Sequence, residues 1–171
     1  MRKHERLNTT LILNLFVICF FGTIAWSAES NMSKDRFNDK SRNISFSIPN
    51  GWKKGTPKFA QVAAIYSNKA GHSITVLDSG NPSYTCDNYT IEMQSTQGVQ
   101  TTGKISAKGR AVTWLKHTAY NKDAGIRMTS VHYCINSTKG SVIMIGAAPE
   151  DEYSRSETIF KNVINSMTVR N

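Results

Sequence analysis

The patterned part of the chain opens with period-two alternation. In NISFSIP, Ile44, Phe46 and Ile48 alternate with Ser45 and Ser47, the signature of a half-buried strand, and Pro49-Asn50-Gly51 supplies the turn that ends it. Trp52, just past that turn, reads as a core plug. QVAAIYS and HSITVLDS are further strands, joined as a hairpin by the turn-forming residues Asn68 to Gly71. From Ser83 to Gln97 the period changes: Cys86, Tyr89 and Met93 fall at helical spacing, with Ser83 or Thr85 as cap and Gly98 as stop.

A stretch punctuated by Gly103 and Gly109 follows. RAVTWLKHTAY and IRMTSVHYCINS then flank Asn121 to Gly125, a strong hairpin signal. After the turn at Thr138-Lys139-Gly140, SVIMIGAA is apolar on both faces, as a central strand covered on both sides should be. Pro149 and Glu150 are expected to open a second helix. Its stripe is Tyr153, Ile159, Phe160, Val163 and Ile164, and Glu150, Asp151 and Glu152 lie at its start, where the dipole favours them. Met167-Thr168-Val169 adds a short last strand. A strand, a hairpin, a helix, a meander and a closing helix make an α+β domain, with no internal repeat.

Ahead of this pattern lies a different composition. Arg2, Lys3 and Arg6 precede an uncharged apolar run, and small residues follow at Ser27 and Ala28, the layout of a secretory signal peptide. Ala25 and Ser27 suit the −3 and −1 positions of a signal peptidase site, which puts cleavage after Ser27. A retained anchor is the alternative, but Leu11 to Trp26 is 16 residues, and a span needs about 20. The bulky residues before Cys19 do not make a lipobox. Residues 28–42 are polar and charged, with Met32 and Phe37 alone to bury, and read as a flexible leader before a single domain at 43–171.

Export changes what charge and cysteine content mean. The 171-residue chain has 21 basic and 12 acidic side chains, a net +9; after cleavage 144 residues keep 18 basic and 11 acidic ones, a net +7. A cationic exported domain is drawn to an acidic protein or envelope component. Export argues against nucleic acid as a partner, and no stable membrane span remains after cleavage. Cys86 and Cys134 are the cysteines that survive maturation, and in an oxidising compartment a lone pair is most simply a disulfide. A redox thiol would want a CxxC spacing or an activating cation, and neither is visible.

Candidate chemistry is sparse. Of the mature histidines His72, His117 and His132, the last two can be placed by hairpin register. If Tyr120 pairs with Ile126 they lie on opposite faces of the sheet; if Asn121 pairs with Ile126 they become diagonal neighbours on one face. No acidic third ligand accompanies them, so no metal is assigned. There is no G-x-S-x-G and no Gly-rich phosphate loop between strand and helix, so no catalytic residue and no cofactor is assigned. Asp78 and Asp87 are explained by turn and cap roles. Trp52 with Lys53, Lys54 and Lys58 is the candidate partner-binding patch, an aromatic anchor among cations.

ISFSIPNGWKK, the central strands and ETIFKNVINSMTV resemble the PsbP-like family, which groups the photosystem II extrinsic subunit with a Ran-binding import factor and many bacterial envelope proteins. The resemblance covers Asn43 to Val169. It implies an antiparallel sheet with helices packed on both faces, an α/β/α sandwich, and a binding or assembly role more often than catalysis. It brings no catalytic residues. The chain departs from some bacterial relatives in lacking their lipobox. The expectation is a non-catalytic periplasmic or secreted protein that recognises a protein or envelope component. The alternative is an immunity protein that neutralises a periplasmic antibacterial toxin.

Overall fold

The computed structural model describes residues 32–170 except 98, 100 and 123. The signal segment 1–27, its cleavage point and the helix stop at Gly98 lie outside the described residues. The order is β1 (Met32–Asp39), β2 (Ile44–Pro49), β3 (Lys53–Lys54), β4 (Val62–Ser67), β5 (Ser73–Asp78), α1 (Cys86–Gln97), β6 (Thr101–Ala107), β7 (Arg110–Asn121), β8 (Ile126–Ser137), β9 (Gly140–Pro149), α2 (Tyr153–Ser166) and β10 (Thr168–Val169). All pairings are antiparallel. The main sheet runs β3-β4-β5-β9-β8-β7-β6, and a small sheet runs β1-β2-β10.

Alternation along β8 and β9 divides the interior into two cores. Val131, Tyr133, Ile135, Val142 and Met144 face one side, where α2 and the small sheet bring Phe160, Val163, Ile164, Ile44 and Phe46. Leu115, Cys134 and Ile143 face the other, where α1 brings Cys86 and Tyr89. The result is an α+β arrangement, with a helix on each face of an antiparallel sheet. Gly146 sets how closely α2 approaches: a Cβ there would stand 2.5 Å from the Phe160 ring. The central position expected for SVIMIGAA holds, since β9 lies between β5 and β8.

Two expectations are corrected. The leader assigned to 28–42 is strand over most of its length. β1 pairs with β2 from Met32↔Pro49 to Asp39↔Ile44, so the fold begins at least eleven residues before Asn43. Backbone pairing makes this strand, with Phe37 against Phe46 at 5.0 Å and Arg36 donating to the Ser47 hydroxyl at 3.0 Å. Asp39 closes its turn: burial pushes the carboxyl up, but bonds from Ser41 and Arg42 outweigh that and hold it down at about 2. Second, α2 starts at Tyr153, because Pro149 is still in β9, paired with Met128. Two of the three acidic residues before the helix are tied down as connectors, Glu150 to Arg127 at 2.6 Å and Glu152 to His72 at 2.8 Å. The Gly-punctuated stretch, to which the pattern assigns no element, contains edge strand β6. It shows no apolar period because Ala107 is its one buried residue.

Candidate functional site

Hairpin register decides where the histidines go. Asn121 pairs with Ile126, His117 with Ser130 and Leu115 with His132, so His117 and His132 share a face, their ring centroids 5.1 Å apart. The Tyr89 hydroxyl, carried in by α1, donates to His132 Nδ1 at 2.5 Å. Burial, with His117 as a second and smaller cause, pushes His132 down to about 3, so it is a neutral ring at neutral pH. Burial lowers His117 as well. No three metal-ligating side chains converge among the described residues. The pair packs under α1 beside the Cys86–Cys134 disulfide, whose Cα atoms are 5.6 Å apart.

His72 sits in a second polar cluster. Its Nδ1 accepts from Ser156 at 3.0 Å and its Nε2 donates to Glu152 at 2.8 Å. The order serine, histidine, carboxylate matches a hydrolase relay. Ser156, however, is completely buried, and a nucleophile needs an open side for its substrate. Here the three residues clamp the start of α2 to the β4–β5 turn.

Of the candidate partner-binding residues, Lys53, Lys54 and Lys58 are exposed. Trp52 is half-buried, its ring edge-on to Phe160 at 6.5 Å, so it joins the core. The exposed aromatic of this segment is Phe59, at 71%. A single apolar residue in a polar loop leaves no periodic signal.

A cleft that the sequence pattern did not reveal lies between α2 and the β6–β8 end of the main sheet, with a volume of about 220 Å³. Trp114 and Tyr133 line it from the strands, with Ile105 and Thr101 of β6 on one side. Tyr153, Glu157 and Lys161, one helical row at i, i+4 and i+8, line it from α2. Gly103 makes room for Trp114, since a Cβ there would lie 2.7 Å from the indole Nε1. Lys116 sits with its Nζ 4.7 Å from the centre of the Tyr153 ring. Glu157 and Lys161 form an ion pair of 3.2 Å at the rim. Burial first, then Glu157, pushes Tyr133 up to about 12; burial, then Glu157 and Tyr133, raises Tyr153 further. Both phenols therefore stay protonated donors at neutral pH. The Tyr153 hydroxyl is buried with no hydrogen-bond partner.

No family model matches the chain, and no curated protein matches it by sequence. Solved structures define the class: the fold is PsbP-like. One similar structure is cyanobacterial PsbP (CyanoP) from Synechocystis sp. PCC 6803, 18% identical, with a TM-score of 0.55 over 79% of this chain and 91% of that one. Another is LpqN of Mycobacterium tuberculosis, described as involved in cell envelope biogenesis, 11% identical, with a TM-score of 0.54 over 87% of this chain and 98% of that one. A third, from Bacteroides thetaiotaomicron, is 14% identical with a TM-score of 0.56, and this chain spans about half of its length, 48%.

Proposed function

We propose that the chain is an exported, non-catalytic binding or assembly protein of the bacterial envelope, released by cleavage after Ser27 and recognising a protein or acidic envelope component. The carrying observation is a contrast in placement. The buried serine and histidine able to do chemistry, Ser156 and His132, are locked in the core, while a cleft lined by Trp114 and Tyr133 stands open beside α2. The disulfide supports an oxidising compartment, and no helix among the described residues is long and apolar enough to cross a membrane. The likeness to PsbP and to LpqN supports an envelope or assembly role. Lys53, Lys54 and Lys58, with Phe59 beside them, offer a second, cationic contact surface.

The test is fractionation followed by affinity capture with chemical crosslinking in intact cells. The expected result is a chain that begins at Ala28, is oxidised at both cysteines, lies outside the cytoplasm and is crosslinked to an envelope component. Full-length protein in the cytosol with free thiols would overturn the reading. Recovery of a secreted toxin as the partner would replace it with the immunity role.

A further inference from the structure

Cations that the sequence scatters along the chain are gathered by the topology at one end of the main sheet. β6 turns into β7 at Lys108 and β8 into β9 at Lys139, both at the end where β5 stops at Asp78. The β1–β2 turn is bonded to the same end. Arg42 Nη2 donates to the Ala60 carbonyl at 2.8 Å, Lys139 Nζ to that of Ser41 at 3.3 Å, and the Arg170 amide to that of Asn43 at 3.0 Å. Lys40 is exposed in this turn, and Lys58 in the loop that enters β4 through Ala60.

Carboxylates do not balance this charge. Asp39 and Asp78 both lie against Arg42, at 2.6 and 3.7 Å, and Asp87 opens α1 on the other face of the sheet. Lys40, Lys58, Lys108, Lys139 and Arg170 are exposed, with no carboxylate within ion-pair distance among the described residues. The acidic run Glu150 to Glu152 follows β9 at the opposite end. A surface polarised in this way attracts an anionic partner and orients it.

Phe59 stands at the cationic end and is 71% exposed, the most of the large apolar residues described. The others lie elsewhere, on α1, β6 and the β7–β8 hairpin. A folded protein partner is held by a packed apolar centre inside a polar rim, and one ring among separate cations does not provide that centre. A bilayer fits better. Its fluid headgroups adjust to cations spread over several turns, and a single aromatic ring settles at the headgroup level without a preformed pocket.

We infer that this end of the molecule docks on an anionic phospholipid bilayer, with Phe59 inserted among the headgroups and the lysines of the surrounding turns against the lipid phosphates. This rests on the envelope-binding role proposed above and names the component bound.

The mature chain from Ala28, which keeps every element described, is cosedimented with vesicles of phosphatidylglycerol mixed with phosphatidylcholine and with vesicles of phosphatidylcholine alone. Binding is expected to the first and not to the second, and should weaken as added salt screens the charges. Phe59→Ser should weaken it about tenfold. Lys58→Gln together with Lys139→Gln should weaken it about twentyfold, since each cation near an anionic surface strengthens binding about fivefold. Lys69→Gln together with Lys122→Gln removes the same charge from the turns at the opposite end and should change binding less than about twofold. All of these positions are exposed, so the fold is left intact. No binding to the anionic vesicles, or equal losses from the two lysine pairs, would overturn the inference. Unchanged binding by Phe59→Ser would also overturn it, and retention of the protein on immobilised poly-L-glutamate would then assign this end to an acidic protein. Because vesicle binding needs neither export nor a captured partner, it can fail while the envelope reading stands, and the reverse.

Discussion

His117 and His132 stand on one face of the β7–β8 hairpin with ring centroids 5.1 Å apart, because Asn121 and not Tyr120 is opposite Ile126. A one-residue slip would send them to opposite faces. His132 is buried beneath α1, hydrogen-bonded to the Tyr89 hydroxyl, while His117 beside it is half-buried.

That burial predicts a pH dependence with a definite sign. His132 has a folded pKa of about 3 against roughly 6.5 in the unfolded chain. Between these values the unfolded state binds more protons, so stability is complete above pH 6.5 and falls as the pH drops toward 3. The loss is on the order of 4 kcal/mol by pH 3. Urea midpoints measured from pH 7 to pH 4 should decline in the native chain and follow a flatter course in His132→Gln, whose side-chain oxygen can still accept from Tyr89. Parallel slopes would show that His132 is not the group responsible.

The disulfide should matter most for α1. Cys86 and Tyr89 are the residues this helix buries, and its further anchor is the Cys86 amide donating to Asn136 at 2.8 Å. Replacing both cysteines by alanine removes a cross-link over a separation of 48 residues, worth roughly 4 kcal/mol in the chain-entropy model. Hydrogen exchange should accelerate across α1 before it does in β8 or β9. Uniform acceleration would mean that α1 is held by packing and not by the cross-link.

β1 should contribute to stability although its sequence is polar. Phe37→Ala removes the ring tilted against Phe46 and should cost about 3 kcal/mol in denaturant unfolding. A change below about 0.5 kcal/mol, the range of ordinary surface substitutions, would return this segment to the status of a loose leader.

Gly146→Ala tests the seat of α2. The added methyl meets the Phe160 ring at 2.5 Å, and overpacking of this kind costs roughly 1–3 kcal/mol. Phe160→Leu in the same chain should recover part of the loss, read as coupling in a double-mutant cycle. Simple additivity would place the strain elsewhere.

Legible in the chain alone were the α+β class, the β4–β5 hairpin, the β7–β8–β9 meander, the α2 stripe apart from half-buried Ile159, and the cysteine pair. Each of these is written in local periodicity or turn chemistry, where side chains a few residues apart report on a single face. Periodicity was silent where a strand buries almost none of its side chains. β1 and β6 pair along an edge and bury one residue each, so no alternation marks them. Only the tertiary structure chose between the two histidine registers, turned Trp52 toward Phe160 and set Tyr153, Glu157 and Lys161 of α2 opposite Trp114. Those relationships join residues about forty or more positions apart in the chain, or depend on a one-residue choice of pairing. They follow from how helix and sheet pack against each other, which no local pattern encodes.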